Sequence, residues 1–320
     1  MTDINLLHEL RNKLRAVIVG QEHLLERLII AVLAGGHILL EGPPGLAKTT
    51  VVHALATGLD ARFQRIQFTP DLMPGDLTGS EIYEPATGHF RFIKGPLFNE
   101  ILLADEINRA PPKVQSALLE AMAEHQITVG GTTRVLPELF MVLATQNPLE
   151  QSGTYRLPEA QLDRFLFKII LQYPTLDEEI AIARRAIRAP EGHVEQALSA
   201  ALKPEQILSL RAQLNDIFIE ENIERFAIEI IVATRNLGDY LPDWADLVQA
   251  GASPRASIAL LRAAMARAFL HGRDYVLPED VVALAADVLR HRIILDFAAQ
   301  AEGVSADDIV TALLNVIKVP

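Results

Sequence analysis

Residues 38–50 read Ile38-Leu39-Leu40-Glu41-Gly42-Pro43-Pro44-Gly45-Leu46-Ala47-Lys48-Thr49-Thr50. Ile38-Leu39-Leu40 has the length and composition of a buried parallel strand. A turn built on Gly42, Pro43, Pro44 and Gly45 follows it. From Lys48 onward, Thr49-Thr50-Val51-Val52-His53-Ala54-Leu55-Ala56 is compatible with helix. Strand, glycine turn, Lys-Thr and helix is the layout of a phosphate-binding loop. The amides of a helix's first turn have no intrahelical partner and point toward an incoming anion. Gly42 and Gly45 let the backbone wrap close to phosphate oxygens with no Cβ in the way. Lys48 brings a compact positive charge to the β- and γ-phosphates, and the Thr49 hydroxyl can ligate Mg²⁺. The motif has Gly where this chain has Ala47, which requires a negative φ there, as in a first helical turn. The alternative is a chance strand, turn and helix with a surface lysine.

Around this loop, composition narrows the choices. The 320 residues suggest about two domains, and a hydrophobic fraction of 50% is enough for a sizeable core. The formal net charge is -12, and Lys and Arg form no basic stripe, so nucleic acid is not expected as an obligate partner. There is no cysteine, hence no disulfide framework and no thiolate metal site. Met1-Thr2-Asp3-Ile4-Asn5 lacks the basic start and apolar run of a signal peptide. The longest apolar run, Leu28 to Ala34, is far short of the ~20 residues of a membrane span. The expectation is a cytoplasmic chain with no membrane span.

Outward along the chain, two amphipathic helices precede the loop. The first covers 3–16, with Leu6, Leu7, Leu10 and Leu14 on one side; the second carries Leu24, Leu25, Leu28, Ile29, Val32 and Leu33 and ends at Gly35-Gly36. Residues 62–68 alternate as a half-buried strand does. Residues 76–98 predict a hairpin insertion around Pro85-Ala86-Thr87-Gly88, and 126–136 a second hairpin around Gly130-Gly131. Ile101 to Ala104 and Phe140 to Ala144 read as buried strands, and Pro111-Pro112 opens a helix between them. A short helix is expected at 158–164 and a last strand at 165–171. From Pro174 the pattern turns helical, over about 176–188, 204–214, 222–237, 254–270, 278–291 and 305–317. Pro204, Pro254 and Pro278 fit first turns, and Ser253 and Ser305 fit N-caps. The expected division is an α/β domain, 1–173, followed by an all-α domain, 174–320.

Several residues fit the chemistry of a bound triphosphate. An apolar strand ending in Asp105-Glu106 supplies a carboxylate for Mg²⁺, Asp105, and one to polarise a water, Glu106; two solvated acids at a strand end are the alternative. Asn147 ends the next strand, where an amide could hold water and γ-phosphate in line, or set up the turn before Pro148. Arg164 precedes the last strand; its guanidinium could stabilise charge in phosphoryl transfer, in its own or a neighbouring subunit, or pair with Asp163 or Glu159. Arg255 sits in a helix's first turn, the wrong end for a cation, so an anion is expected beside it: a phosphate, or a carboxylate across the helices. No zinc spacing and no Ser-His-Asp arrangement stands out.

Taken together, these stretches resemble the MoxR family of AAA+ ATPases. The residues that carry the resemblance are Gly42-Pro-Pro-Gly-Leu-Ala-Lys-Thr49, Ala104-Asp-Glu-Ile-Asn-Arg-Ala-Pro-Pro-Lys-Val-Gln115, Ala144-Thr-Gln-Asn-Pro148, Leu157-Pro-Glu-Ala-Gln-Leu-Asp-Arg-Phe165 and Ala252-Ser-Pro-Arg-Ala256. The similarity runs from about Ile18 to beyond Arg290, and the family tolerates Ala at position 47. It implies a P-loop NTPase core with a five-stranded parallel sheet, an α-helical lid, and the two hairpins as insertions. It implies ATP and Mg²⁺ as ligands. The expected nucleotide contacts are Val19 and Gly20 near the adenine and Gly42, Pro43, Pro44, Gly45, Leu46, Ala47, Lys48, Thr49 and Thr50 on the phosphates, with Thr49 and Asp105 on the metal. Asn147 would be sensor 1, Arg164 an arginine finger for a neighbour's nucleotide, and Arg255 sensor 2. The resemblance further implies a ring, usually a hexamer, and a chaperone-like role on partners, commonly proteins with a von Willebrand factor A domain. Two other readings stay open: a nucleic-acid-dependent motor, and a scaffold that binds ATP with negligible turnover.

Overall fold

The computed structural model describes residues 3–43, 45–46, 48–147, 154–188 and 199–320. Pro44 and Ala47 fall outside the described residues. By its internal contacts the chain divides into two units, one formed by 1–157 and 169–209, the other by 158–168 and 210–320.

A five-stranded parallel sheet organises the first unit, with Phe167 and Lys168 at the start of its last strand grouped with the second. Helices α1 (Asp3–Val17) and α2 (Glu22–Ala34) precede it, with Leu7, Leu10 and Leu14 of α1 fully buried. Gly35, at φ +71°, ends α2 in the left-handed conformation that glycine adopts without a Cβ penalty. The sheet strands are β1 (Ile38–Glu41), β2 (Phe63–Gln67), β5 (Ile101–Asp105), β8 (Met141–Gln146) and β9 (Phe167–Ile170), in the order β2-β5-β8-β1-β9. β1, β5 and β8 are continuous apolar runs because both faces of a parallel sheet are covered. β2 is at the edge, and its polar residues reach solvent. Helix α3 (Lys48–Gly58) follows β1, and α5 (Pro112–Glu124) follows β5.

Both expected hairpins form. The short α4 (Pro74–Thr78) leads into β3 (Gly79–Glu84) and β4 (His89–Lys94), which pair antiparallel. β6 (Gln126–Val129) and β7 (Thr132–Val135) pair through Gly130 and Gly131, both at positive φ, as a tight two-residue turn requires. The hairpins touch: the Arg134 guanidinium lies 3.8 Å from the Phe92 ring centroid and 3.4 Å from a Glu81 oxygen.

After α6 (Glu159–Leu162) and β9 comes α7 (Leu176–Arg188). It stays with the first unit, where Arg185 donates to the carbonyls of Val17 and Ala16. The second unit contains the helices Glu221–Arg235, Pro254–Leu270, Pro278–Leu289 and Ala306–Val316. Ser253 and Ser305 are N-caps, accepting from the amides of Arg255 and Asp308 at 3.2 Å each.

Grouped by contacts, residues 169–209 go with the first unit and 158–168 with the second, whereas the sequence places the break at 173/174. Backbone bonds explain the first part, since Leu171 donates to Glu41 at 2.7 Å and Ala201 to Gly58 at 2.8 Å. The second unit is helical, as expected, with one small addition. β10 (Val248–Ala250) and β11 (Ile294–Leu295) form a short antiparallel ladder between helices.

Candidate nucleotide site

Three buried strands bring their last residues to one place. β1, β5 and β8 stay buried until Glu41, Asp105 and Gln146, each of which is partly exposed. Ligands of parallel α/β sheets bind at such carboxyl ends, where the loops open. A pocket of about 480 Å³ lies there, lined by Gly45, Leu46, Lys48, Thr49, Thr50, Asp105, Glu106 and Asn147. All of these were expected from sequence. Arg65, Gln67, Thr145 and Gln146 complete its wall and were not.

The loop supplies the cationic side. Lys48 opens α3, so the amides of that first turn have no partner within the helix. The Lys48 ammonium donates to the Gly42 carbonyl at 2.6 Å. Its partial burial lowers its pKa below that of an ordinary lysine, and the charges of Asp105, Glu106 and Glu41 pull the other way. Gly45 has φ +84°, and nothing lies within 4 Å of where its Cβ would be. A side chain there would be strained and would project into open space that a phosphate can use. Gly42 has a different reason to be glycine. A Cβ there would come within 2.8 Å of the Leu171 Cβ, so the loop is pressed against the strand end of β9.

The opposite wall is anionic, and its carboxylates are held in place. Asp105 Oδ1 accepts from the Thr145 hydroxyl at 2.6 Å. Asp105 Oδ2 accepts from Arg65 Nη2 at 2.6 Å and Nε at 3.1 Å. The Glu106 amide donates to the same Thr145 hydroxyl at 2.8 Å. Thr145 is almost fully buried, at 1% exposure, so its hydroxyl fixes both acidic residues from one position. Glu106 adopts φ +57°, uncommon for a non-glycine residue. Its Oε2 accepts from Gln67 Nε2 at 2.6 Å and from Arg109 Nη1 at 3.0 Å.

Arg65 and Gln67 lie two apart on β2 and so share one face of that strand. In the parallel register Gln67 stands opposite Asp105 and Arg65 opposite Leu103. The alternation of residues 62–68 marked them as same-face polar residues, but only the pairing of β2 with β5 puts that face beside the carboxylates.

The donor set fits ATP with Mg²⁺. Open helix amides, Lys48 and the free space at Gly45 suit a polyphosphate, and the Thr49 hydroxyl with the Asp105 carboxylate are the oxygen donors Mg²⁺ takes.

The remaining expected residues lie elsewhere. Val19 and Gly20 join α1 to α2 and do not line the pocket. Gly20, at φ +69°, has the Glu178 side chain of α7 within 2.3 Å of where its Cβ would be. Pro43 follows Gly42 in the loop. Arg164 and Arg255 both belong to the second unit. Arg164 directly follows Asp163, and Arg255 Nη1 lies 3.8 Å from Asp163 Oδ2. The carboxylate that sequence offered as one possible partner of Arg255 is thus present, and it is Asp163.

The profile of the ATPase family associated with various cellular activities (AAA) matches residues 37–167, and that of an AAA lid domain matches residues 245–313. The chaperone MoxR1 of Mycobacterium tuberculosis is 43% identical over 96% of this chain and 81% of its own length. Protein MoxR of Methylorubrum extorquens is 35% identical over 87% of this chain and 84% of its own length. A crystal structure from Cytophaga hutchinsonii superposes with a TM-score of 0.92 at 46% identity, covering 99% of this chain and 96% of that one. No described helix is long and apolar enough to cross a membrane. The chain belongs to the MoxR family of AAA+ ATPases.

Proposed function

We propose that this protein hydrolyses ATP as a ring-forming motor and uses that hydrolysis to remodel or mature partner proteins, with von Willebrand factor A domain proteins as the partner class. One observation carries the reading: Lys48, Thr49, Asp105, Glu106 and Asn147, drawn from three separate strand ends, line a single pocket. The chaperone name of the 43% identical relative supports the remodelling role.

The roles follow from the groups present. The first-turn amides of α3 and Lys48 hold the β- and γ-phosphates. Thr49 and Asp105 hold Mg²⁺, which when bound neutralises charge on the phosphate oxygens. Glu106 polarises the attacking water once its Oε2 is released from Gln67 and Arg109. Asn147 orients that water against the γ-phosphate. Arg164 completes a neighbouring subunit's site, and Arg255 senses the subunit's own nucleotide. Val19 and Gly20 flank the adenine.

Calorimetric titration with Mg-ATP tests the pocket. Wild type should bind, and Lys48→Ala should lose at least about tenfold in affinity through the missing charge-assisted bond. Equal affinities would place the nucleotide elsewhere or nowhere. The partner class is tested separately by capture on Glu106→Gln in the presence of ATP. Recovery of proteins without a von Willebrand factor A domain would reject that part of the reading.

A further inference from the structure

Asp163 sits between α6 and Arg164, and its carboxylate gathers three other residues of the second unit. Oδ1 accepts from Arg292 Nε at 2.7 Å. Oδ2 accepts from the Ser253 hydroxyl at 2.9 Å and lies 3.8 Å from Arg255 Nη1. These contacts differ in kind. Arg292 is buried at 3% side-chain exposure and also donates to the carbonyls of Asp163 at 3.1 Å, Phe165 at 2.7 Å and Leu166 at 3.3 Å. It therefore fixes the backbone on both sides of Arg164. Ser253 is the N-cap of the helix that starts Pro254-Arg255, and its hydroxyl accepts from the Arg255 amide while donating to Asp163. Arg255 itself is 66% exposed and meets the carboxylate only at ion-pair range. A charge pair of that exposure is weak and yields to a stronger anion.

One carboxylate oxygen thus faces the buried clamp around Arg164, and the other faces the helix start that carries Arg255. We propose that Asp163 is a positioning residue that couples these two arginines. Without nucleotide it competes for Arg255. When phosphate draws Arg255 away, Oδ2 keeps Ser253 as its remaining partner, and the altered balance is passed to the Asp163–Leu166 backbone that holds Arg164. Nucleotide occupancy in one subunit thereby adjusts the finger that the same subunit offers its neighbour. This inference rests on the reading above that both arginines act on nucleotides.

Asp163→Asn keeps the hydrogen-bonding pattern of the cluster and removes its negative charge, while Arg292 retains its bonds to the Asp163, Phe165 and Leu166 carbonyls. The amide oxygen can still accept from Arg292 and the amide nitrogen can still donate to Ser253, but the charge opposite Arg255 is gone. The full chain is titrated with a fluorescent ATP analogue and assayed for turnover as wild type, Asp163→Asn, Arg255→Gln and the double variant. We expect Asp163→Asn to bind the analogue about two- to fivefold more tightly, the range a weak exposed ion pair supplies. Its kcat should fall by about fivefold while KM falls too. The double variant should bind no more tightly than Arg255→Gln alone. Structural damage gives the opposite sign, with weaker binding and a raised KM.

Unchanged or weakened binding by Asp163→Asn, alongside weakened binding by Arg255→Gln, overturns the coupling and leaves the sensing role of Arg255 intact. Unchanged binding by Arg255→Gln instead removes that sensing role and the coupling with it. Should Asp163→Asn fail to melt as a folded protein, Ser253→Gly carries the test, because glycine is tolerated at an N-cap. It breaks the link from the helix side, and a reduced kcat with no rise in KM is expected; a wild-type kcat overturns the proposal.

Discussion

Arg65 and Arg292 each neutralise one aspartate, Asp105 and Asp163, and the two carboxylates are equally exposed at 16%. The arginines are not. Arg65 is 48% exposed at the rim of an open pocket, whereas Arg292 is 3% exposed and wrapped in backbone carbonyls. An exposed pair gains little from its own attraction, because water and salt screen it. A buried one cannot lose a partner without stranding a charge in a poor solvent. The same chemistry therefore does two jobs. At Asp105 the arginine is reached by solvent, and the proposed function makes it a placeholder for a metal ion. At Asp163 it is a fixed part of the frame.

Stability measurements distinguish the two arginines. Arg292→Ala should destabilise the second unit by about 3–5 kcal/mol, because it removes the buried half of the pair and leaves the carbonyls of Asp163, Phe165 and Leu166 without its donors. Chemical denaturation followed by circular dichroism reads this directly, and a loss below about 1 kcal/mol would put Arg292 in the same class as Arg65. Thr145→Val should have an intermediate effect. It strips the hydroxyl from Asp105 Oδ1 and from the Glu106 amide at once, at about 1–3 kcal/mol, and should lower ATP turnover as both acids lose their fixed positions. Normal turnover in a folded Thr145→Val protein would show that the hydroxyl positions neither acid. Arg65→Gln should be the mildest for stability, within about 1 kcal/mol of wild type. Its signature lies in the metal titration: with the competing cation gone, half-saturation of ATP binding should need about two- to fivefold less Mg²⁺. A higher Mg²⁺ requirement would mean that Arg65 assists the site rather than holds its place.

The two regions were unequally legible in the sequence. The phosphate loop and the Asp105-Glu106 pair are contiguous stretches, and local rules of strand, turn and helix start suffice to read them. Arg65, Gln67 and Thr145 reach the same pocket only through the strand order β2-β5-β8, which no local pattern encodes. The Asp163 cluster was harder still. Arg292 lies 129 positions from Asp163, just past the helix expected over 278–291, where no local pattern marks a buried arginine. The anion expected beside Arg255 was legible in kind, from a cation at a helix N-terminus, but not in identity. The helices of the second unit were legible because Pro254, Pro278 and the N-caps Ser253 and Ser305 mark the starts. The β10–β11 ladder was not, since segments of three and two residues carry no alternation to detect. The unit division was displaced because backbone bonds such as Leu171 to Glu41 tie residues beyond β9 back to the sheet.

Glu106 is proposed to drive hydrolysis in a pocket that binds nucleotide without it. Phosphate release at saturating Mg-ATP, measured for wild type and Glu106→Gln under conditions where both are shown to bind, addresses it most directly. A fall of about a hundredfold or more is expected, the range for loss of a general base. Equal rates in the two proteins would contradict it.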